Sequence, residues 1–204
     1  MANSENLKVF DISRPALKPY GLTVEKWTPK LMPKPDRHNE IEINLLTGGT
    51  LSYLINDKKI IIPPNQIAVF WALVPHQIIN FENKAPYYVC TIPFSQFMDW
   101  QLPSSFVNHV LDGYVVNAVS SNAYQYDKQR LENWHWEIST GNQDYLNVVT
   151  LEIHAWLNRL ALNYTPIESD VCEEKKCSFH MNELVEKMII FIARNYSQSI
   201  KNKD

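Results

Sequence analysis

The chain has 204 residues, 45% of them hydrophobic and 20% charged, which fits one packed globular domain with room for a small appendage. Lys plus Arg number 19 and Asp plus Glu 22, so the net charge is −3 and no bulk basic surface marks the chain as a nucleic-acid binder. The apolar runs are too short to span a bilayer, MANSENLKVF lacks a signal-peptide core, and three cysteines suit a reducing cytosol better than a disulfide scaffold.

Residues 1–35 are punctuated by proline, with one short strand-like stretch at 22–27. Six β-rich runs follow, at 40–46, 51–56, 59–62, 67–72, 77–82 and 87–93. Gly48-Gly49, Asn56-Asp57 and Pro63-Pro64-Asn65 supply turn signals between them. Strands at this spacing point to a sandwich or barrel. Eleven of the 12 prolines fall within residues 1–103, so helix-breaking chemistry is confined to the first half. The five glycines make neither a dinucleotide fingerprint nor a phosphate-cradling loop, and neither a nucleophile elbow nor an HExxH pair is present.

After Pro103 the apolar period becomes helical. One helix is expected over 131–138 and a stronger one over 142–164, with Asn142 or Asp144 as N-cap. Leu146, Val149, Ile153, Trp156 and Leu160 form a heptad-like seam, while Val148, Leu151, Ala155 and Leu162 form a second apolar stripe. A helix apolar on two faces is buried on two sides. Either it is a core helix of a monomer, or the seam meets a partner chain and the second stripe packs on the chain's own barrel. Residues 166–182 read as a polar linker, and 183–196 resume a helix with Val185, Met188, Ile189, Ile192 and Tyr196 on one face. Cys172, Cys177 and His180 lie in that linker and read as solvated groups, because a fourth metal ligand is not evident.

The chemistry-bearing cluster is Asp36-Arg37-His38-Asn39-Glu40-Ile41-Glu42-Ile43-Asn44, with Pro75-His76 further on. In an extended segment Asp36, His38, Glu40, Glu42 and Asn44 share one face, and Ile41, Ile43 and Leu45 take the other. This is either an ordinary half-exposed strand or the wall of a barrel with a polar lumen. Trp71, Trp27 and Tyr53 add aromatic surface of the kind that holds a small polar ligand, and Tyr88 alternates with Cys90 on a later strand.

The pattern around His38 and Glu42 resembles the first cupin motif, with Asp36 where metal-binding cupins carry a histidine, and Pro75-His76 resembles the end of the second motif. The resemblance implies that Asp36, His38, Glu42 and His76 converge. The departure at Asp36 argues against a cofactor, and no metal or other cofactor is assigned. Taken with Gly48-Gly49, Tyr53-Leu54-Ile55-Asn56, Phe70-Trp71-Ala72 and Val107-Asn108-His109-Val110, the chain resembles the sensor half of AraC-family transcription regulators. That resemblance implies an α+β fold, with a cupin-like β-barrel (jelly roll) and an N-terminal arm over residues 1–103 and a helical dimerisation segment over 104–165. It also implies a linker over 166–182, and over 183–204 the first helix of a DNA-binding domain whose remainder is absent.

The implied function is effector sensing, without catalysis, in the cytoplasm. The effector would be a carbohydrate such as an α-galactoside, held by Asp36, His38, Glu42, Asn44, Trp71, His76 and Tyr88. The homodimer would form through Leu146, Val149, Ile153, Trp156 and Leu160. Promoter DNA would be contacted only by the missing domain, and no membrane is involved. The competing readings are a cupin metalloenzyme using Asp36, His38, Glu42 and His76, and a pure oligomerisation module with a filled barrel.

Overall fold

The computed structural model describes residues 7–118 and 123–167. Seven strands come first: β1 Thr23–Trp27, β2 Glu40–Leu46, β3 Leu51–Ile55, β4 Lys58–Ile62, β5 Ile67–Trp71, β6 His76–Phe81 and β7 Tyr87–Pro93. Helices α1 Phe94–Asp99 and α2 Ser104–Leu111, strand β8 Val116–Ala118, helices α3 Tyr124–Ser139 and α4 Gln143–Leu160, and strand β9 Tyr164–Pro166 follow. The α+β class matches the expectation, but the strands do not close into a barrel. They form an antiparallel sheet ordered β1-β7-β2-β5-β8-β9 and a smaller one ordered β4-β3-β6.

Local chemistry accounts for the connections. Asn56 and Asp57 both take positive φ, at 49° and 61°, the conformation a tight β3–β4 hairpin requires and one these residues tolerate. Gly141, at φ 69°, ends α3, and Asn142 then caps α4 by accepting the Asp144 N–H at 2.8 Å.

The two sheets enclose one core. From the large sheet it takes Leu46, Ala68, Phe70, Tyr87 and Val89, and from the small one Leu51, Tyr53, Ile55, Ile60, Ile62 and Ile78. The opposite face of the large sheet is covered by helices. Trp71 stacks on Phe94 of α1 at 5.1 Å, Tyr88 donates to Glu132 of α3 at 2.9 Å, and His135 of α3 lies 2.7 Å from the Val24 carbonyl. All seven residues of β2 are therefore buried, and the reading of 40–46 as a half-exposed strand is overturned.

The sequence reading missed α1, β8 and β9, placed α2 within the helical segment over 104–165 without giving it bounds, and began α3 seven residues late. Both α1 and α2 lack a side-chain cap, each following a proline, and β8 and β9 are three residues each, too short to show a period. In β8 and β9, residues of the expected helical segment extend the large sheet beyond β5.

The two stripes of α4 take the opposite places to those expected. Val149 and Ile153 are fully buried, and Trp156 and Leu160 nearly so. Trp156 packs edge-on against Trp134 of α3 at 5.5 Å, and its Nε1–H donates to the buried Asp127 at 2.8 Å. Leu146 is only partly buried. The exposed stripe is Val148 at 48%, Leu151 at 68% and, just past the helix, Leu162 at 80%. The seam wins the interior because it carries the aromatic with the largest apolar area and a polar N–H that has a partner there. Ile153→Glu should therefore lower unfolding free energy by at least ~3 kcal/mol, because it buries an unpaired charge. Leu151→Glu should change it by no more than ~0.5 kcal/mol at high dilution. Chemical denaturation of the two variants checks the pair.

Candidate functional site

The site is built where the chain crosses from one sheet to the other. Residues 36–38 lead into β2 of the large sheet, and they pair on the way with the start of β6 of the small one. Asp36 and His76 exchange backbone hydrogen bonds of 2.9 and 3.1 Å, and His38 N–H donates to the Ala72 carbonyl at 3.0 Å. This backbone bridge sets His76 beside Asp36 and His38, although 38 positions separate His76 from His38 in sequence. The period of β2 then turns Glu42 inward, opposite Phe70 on β5.

His38 is the hub. Its Nδ1 lies 2.9 Å from Glu40 Oε2 and its Nε2 3.2 Å from Glu42 Oε2. Glu40 is held from behind by the N–H groups of Tyr20 and Gly21, at 2.9 and 3.1 Å. Glu42 Oε1 accepts from Asn44 Nδ2 at 3.0 Å. His76 Nδ1 sits 3.1 Å from the Val74 carbonyl, an acceptor only, so this nitrogen carries the proton. Its Nε2 faces Glu42 Oε2 at 3.8 Å, beyond hydrogen-bond reach. The N-terminal arm closes the cluster. Arg14 pairs with Asp36 at 3.2 Å and lies 3.7 Å over the Tyr20 ring, while Tyr20 Oη donates to Asp36 at 3.2 Å.

Burial opposes charge on His38, but the hydrogen bonds and charges of Glu40 and Glu42 outweigh it and raise its pKa to about 9. Burial pushes Glu42 up, and the His38 hydrogen bond leads the opposing effects that hold it below the usual carboxylate range. Glu40 is lowered in the same way, again against its burial. His76 is lowered, first by burial, and stays neutral.

A pocket opens above this floor. Tyr20, Trp27, Tyr53 and Tyr87 give it aromatic walls, and Lys8, Phe10, Lys30 and Met32 from the arm and the segment after β1 give it a cover. Its free volume is about 50 Å³. Trp27 carries a buried Nε1–H without an acceptor among the described residues.

Of the residues expected to bind an effector, Asp36, His38, Glu42 and His76 line the pocket. Asn44 sits one layer behind, on Glu42. Trp71 and Tyr88 do not reach the pocket, because each lies on the helix-covered face of the large sheet; their neighbours Phe70 and Tyr87 face the core instead. Trp27 and Tyr53 do line it, and Tyr20, Tyr87, Glu25 and Thr91 are additions that the sequence reading missed. The signal for Tyr87 was the alternation on β7, which carried no indication of which face was inner.

Asp36, His38 and His76 are all buried, with ligand atoms within 4.8 Å of one another, and Glu42 borders both imidazoles. Imidazole with carboxylate suits a divalent transition ion, so the residues present fit the metal that the cupin motif implies. Cys172, Cys177 and His180 lie outside the described residues, as do the linker beyond Ile167 and the helix expected over 183–204.

The network makes stability depend on pH in two opposed ways. His38 binds its proton more tightly folded than unfolded, so its contribution is complete below about 6.5 and is lost as pH rises through about 9. His76 is depressed, so its contribution is present above its ordinary value and is lost as pH falls. Unfolding free energy should fall by ~2–3 kcal/mol between neutral pH and the top of the His38 titration. Urea titrations of the parent and of His38→Gln should show this alkaline loss in the parent and not in the variant.

No family model matches the chain. It is 28% identical over 187 residues to the melibiose operon regulatory protein of Escherichia coli K12, covering 90% of this chain and 61% of that protein. The figures are the same for the protein of that name from Escherichia coli O6:H1. The chain thus spans about three fifths of the length of the curated relatives it matches. Among solved structures, the AraC-like transcriptional activator CuxR shares the fold with a TM-score of 0.51 at 9% identity, over 88% of this chain and 60% of that one. No helix among the described residues is long and apolar enough to cross a membrane. The sequence similarity to the melibiose operon regulatory protein extends over nine tenths of the chain, and the chain shares its fold with the solved AraC-like activator.

Proposed function

We propose that this chain is the effector-sensing and self-associating half of a cytoplasmic transcription regulator, without catalytic activity of its own. The carrying observation is the pocket between the two sheets, with a charged floor, four aromatic rings and a cover from the N-terminal arm. Convergent polar groups beside aromatic faces suit a small polar ligand such as a carbohydrate. The relative's name supports melibiose, an α-galactoside, as the first compound to try. The facing sheets are read as a cupin-like jelly roll left open along one side. Promoter contact is assigned to a DNA-reading domain outside the described residues.

The free space of about 50 Å³ is far below the ~300 Å³ that encloses a drug-sized ligand. Effector binding therefore displaces the arm, which is held by Arg14 and Tyr20 on Asp36. The mechanism is linkage: an effector that prefers the arm-lifted arrangement shifts the population toward it.

A thermal-shift screen with mono- and disaccharides tests the effector. A sugar present at 100 times its dissociation constant stabilises the fold by about 2.7 kcal/mol. At roughly 2–4 °C per kcal/mol, that is a readily measured rise in melting temperature. Trp27→Phe, which removes the unpartnered N–H, should weaken that sugar at least fivefold by calorimetry and leave the melting temperature of the free protein nearly unchanged. A panel with no stabilising member would refute the carbohydrate assignment.

Self-association is assigned to the exposed stripe Val148, Leu151 and Ala155, in place of the buried seam. Contiguous apolar surface of this kind marks interfaces. Sedimentation at tens of micromolar should show a dimer for the parent and a monomer for Leu151→Glu.

A further inference from the structure

We propose that the hollow between the first turns of α3 and the last turns of α4 binds a small hydroxylated organic anion, a sugar acid or a sugar phosphate. The site is separate from the pocket between the sheets, and it does not depend on effector sensing there.

Helical spacing assembles it. Tyr126 and Arg130, four apart, and Asp127, three before Arg130, share one face of α3, and Trp156, Arg159 and Leu160 share one face of α4. The helices run antiparallel, with Trp136 against Tyr145 near their junction and Asp127 on Trp156 at the far end, so the start of α3 meets the end of α4. The hollow they line has a free volume of about 340 Å³, against about 50 Å³ between the sheets. That reaches the ~300 Å³ at which ligand sites begin. No described residue of the N-terminal arm lines it.

Its polar groups have capacity left over. Asp127 is 8% exposed, and it accepts both the Trp156 Nε1–H, at 2.8 Å, and the Arg130 guanidinium, at 3.0 Å, on Oδ1. Its Oδ2 has no donor among the described residues, and burial pushes the carboxyl above its ordinary value. Arg159 is exposed at the rim and has no acidic partner among the described residues. Arg130 gives one nitrogen to Asp127 and keeps further donors. Two guanidiniums against one carboxylate make the lining net positive, and a guanidinium matches a carboxylate or phosphate fork.

These groups define the ligand. A neutral sugar would leave Arg159 unpaired, and an acid without hydroxyls would leave Asp127 Oδ2 unpaired. An anion that also carries hydroxyls meets both. Ile67, Ala118 and Leu160 add apolar wall, and the Tyr126 ring, 76% exposed, offers a face for a sugar ring to lie against.

The test titrates the full chain by calorimetry with galacturonate, glucose 6-phosphate and inorganic phosphate. At least one of the two sugar derivatives should bind once per chain, at least tenfold tighter than inorganic phosphate, and which of them binds identifies the acid group. Arg159→Gln should weaken that ligand at least fivefold with circular dichroism and melting temperature unchanged, because the side chain is exposed. Asp127→Asn should weaken it as well; if that buried variant does not fold, Arg159→Gln gives the result alone. Trp27→Phe, in the pocket between the sheets, should leave the affinity as it was. Absence of saturable binding at millimolar ligand overturns the proposal. So does binding no tighter than that of inorganic phosphate, binding unchanged in Arg159→Gln, or binding lost in Trp27→Phe. A failed screen of neutral sugars leaves this titration unaffected.

Discussion

A carboxylate on the central strand of a doubly covered sheet is costly unless a cation meets it, and here one imidazole meets two. His38, 1% exposed, stands between Glu40 and Glu42 and carries a proton on each nitrogen toward them. The rest of the site follows from that need. Glu40 takes its remaining bonds from the backbone of Tyr20 and Gly21, so the arm has to return along the sheet. Glu42 takes one from Asn44, which leaves Asn44 Oδ1 without a partner among the described residues. Asp36 needs a cation of its own, and Arg14 of the arm provides it.

Replacing a buried ionic network by well-packed apolar groups of similar volume is often neutral or stabilising, so stability alone is a weak reason for this one. Polar groups gathered at this density on an inner face, beside Phe70 and Tyr53, are the mark of a place kept for something charged or hydrogen-bonding. The same inner faces a few residues away, at Leu46, Ile60 and Ile62, are wholly apolar. The contrast lies along a single strand: β2 is polar at Glu42 and Asn44 and apolar at Leu46, at the same period and on the same side.

Much of this was legible because it is local. The seven strands declared themselves by alternation and by the turns between them, and the convergence of Asp36, His38 and Glu42 followed from even numbering on one extended segment. What alternation does not contain is which face looks inward, and both Trp71 and Tyr88 were misplaced for that reason. They are large aromatics that are equally at home under a helix, where Phe94 and Glu132 meet them. The same ambiguity exchanged the two stripes of α4, because Ile153 and Leu151 are alike in hydropathy. Only the Trp156 N–H, which needs Asp127 of α3, distinguishes the faces, and that partner is 29 residues away. The short β8 and β9 were invisible because pairing with β5 and with each other defines them, and their composition does not.

The arm over the pocket also governs how fast the site can be reached. On the proposed arm-lifting mechanism, a ligand larger than the free 50 Å³ waits for the Arg14 and Tyr20 contacts on Asp36 to break. Such a ligand does not associate at a rate that climbs without limit as its concentration rises. The rate levels off at the frequency with which the arm lifts, a property of the protein alone. A ligand small enough to fit the free space beneath the arm is not bound by that ceiling.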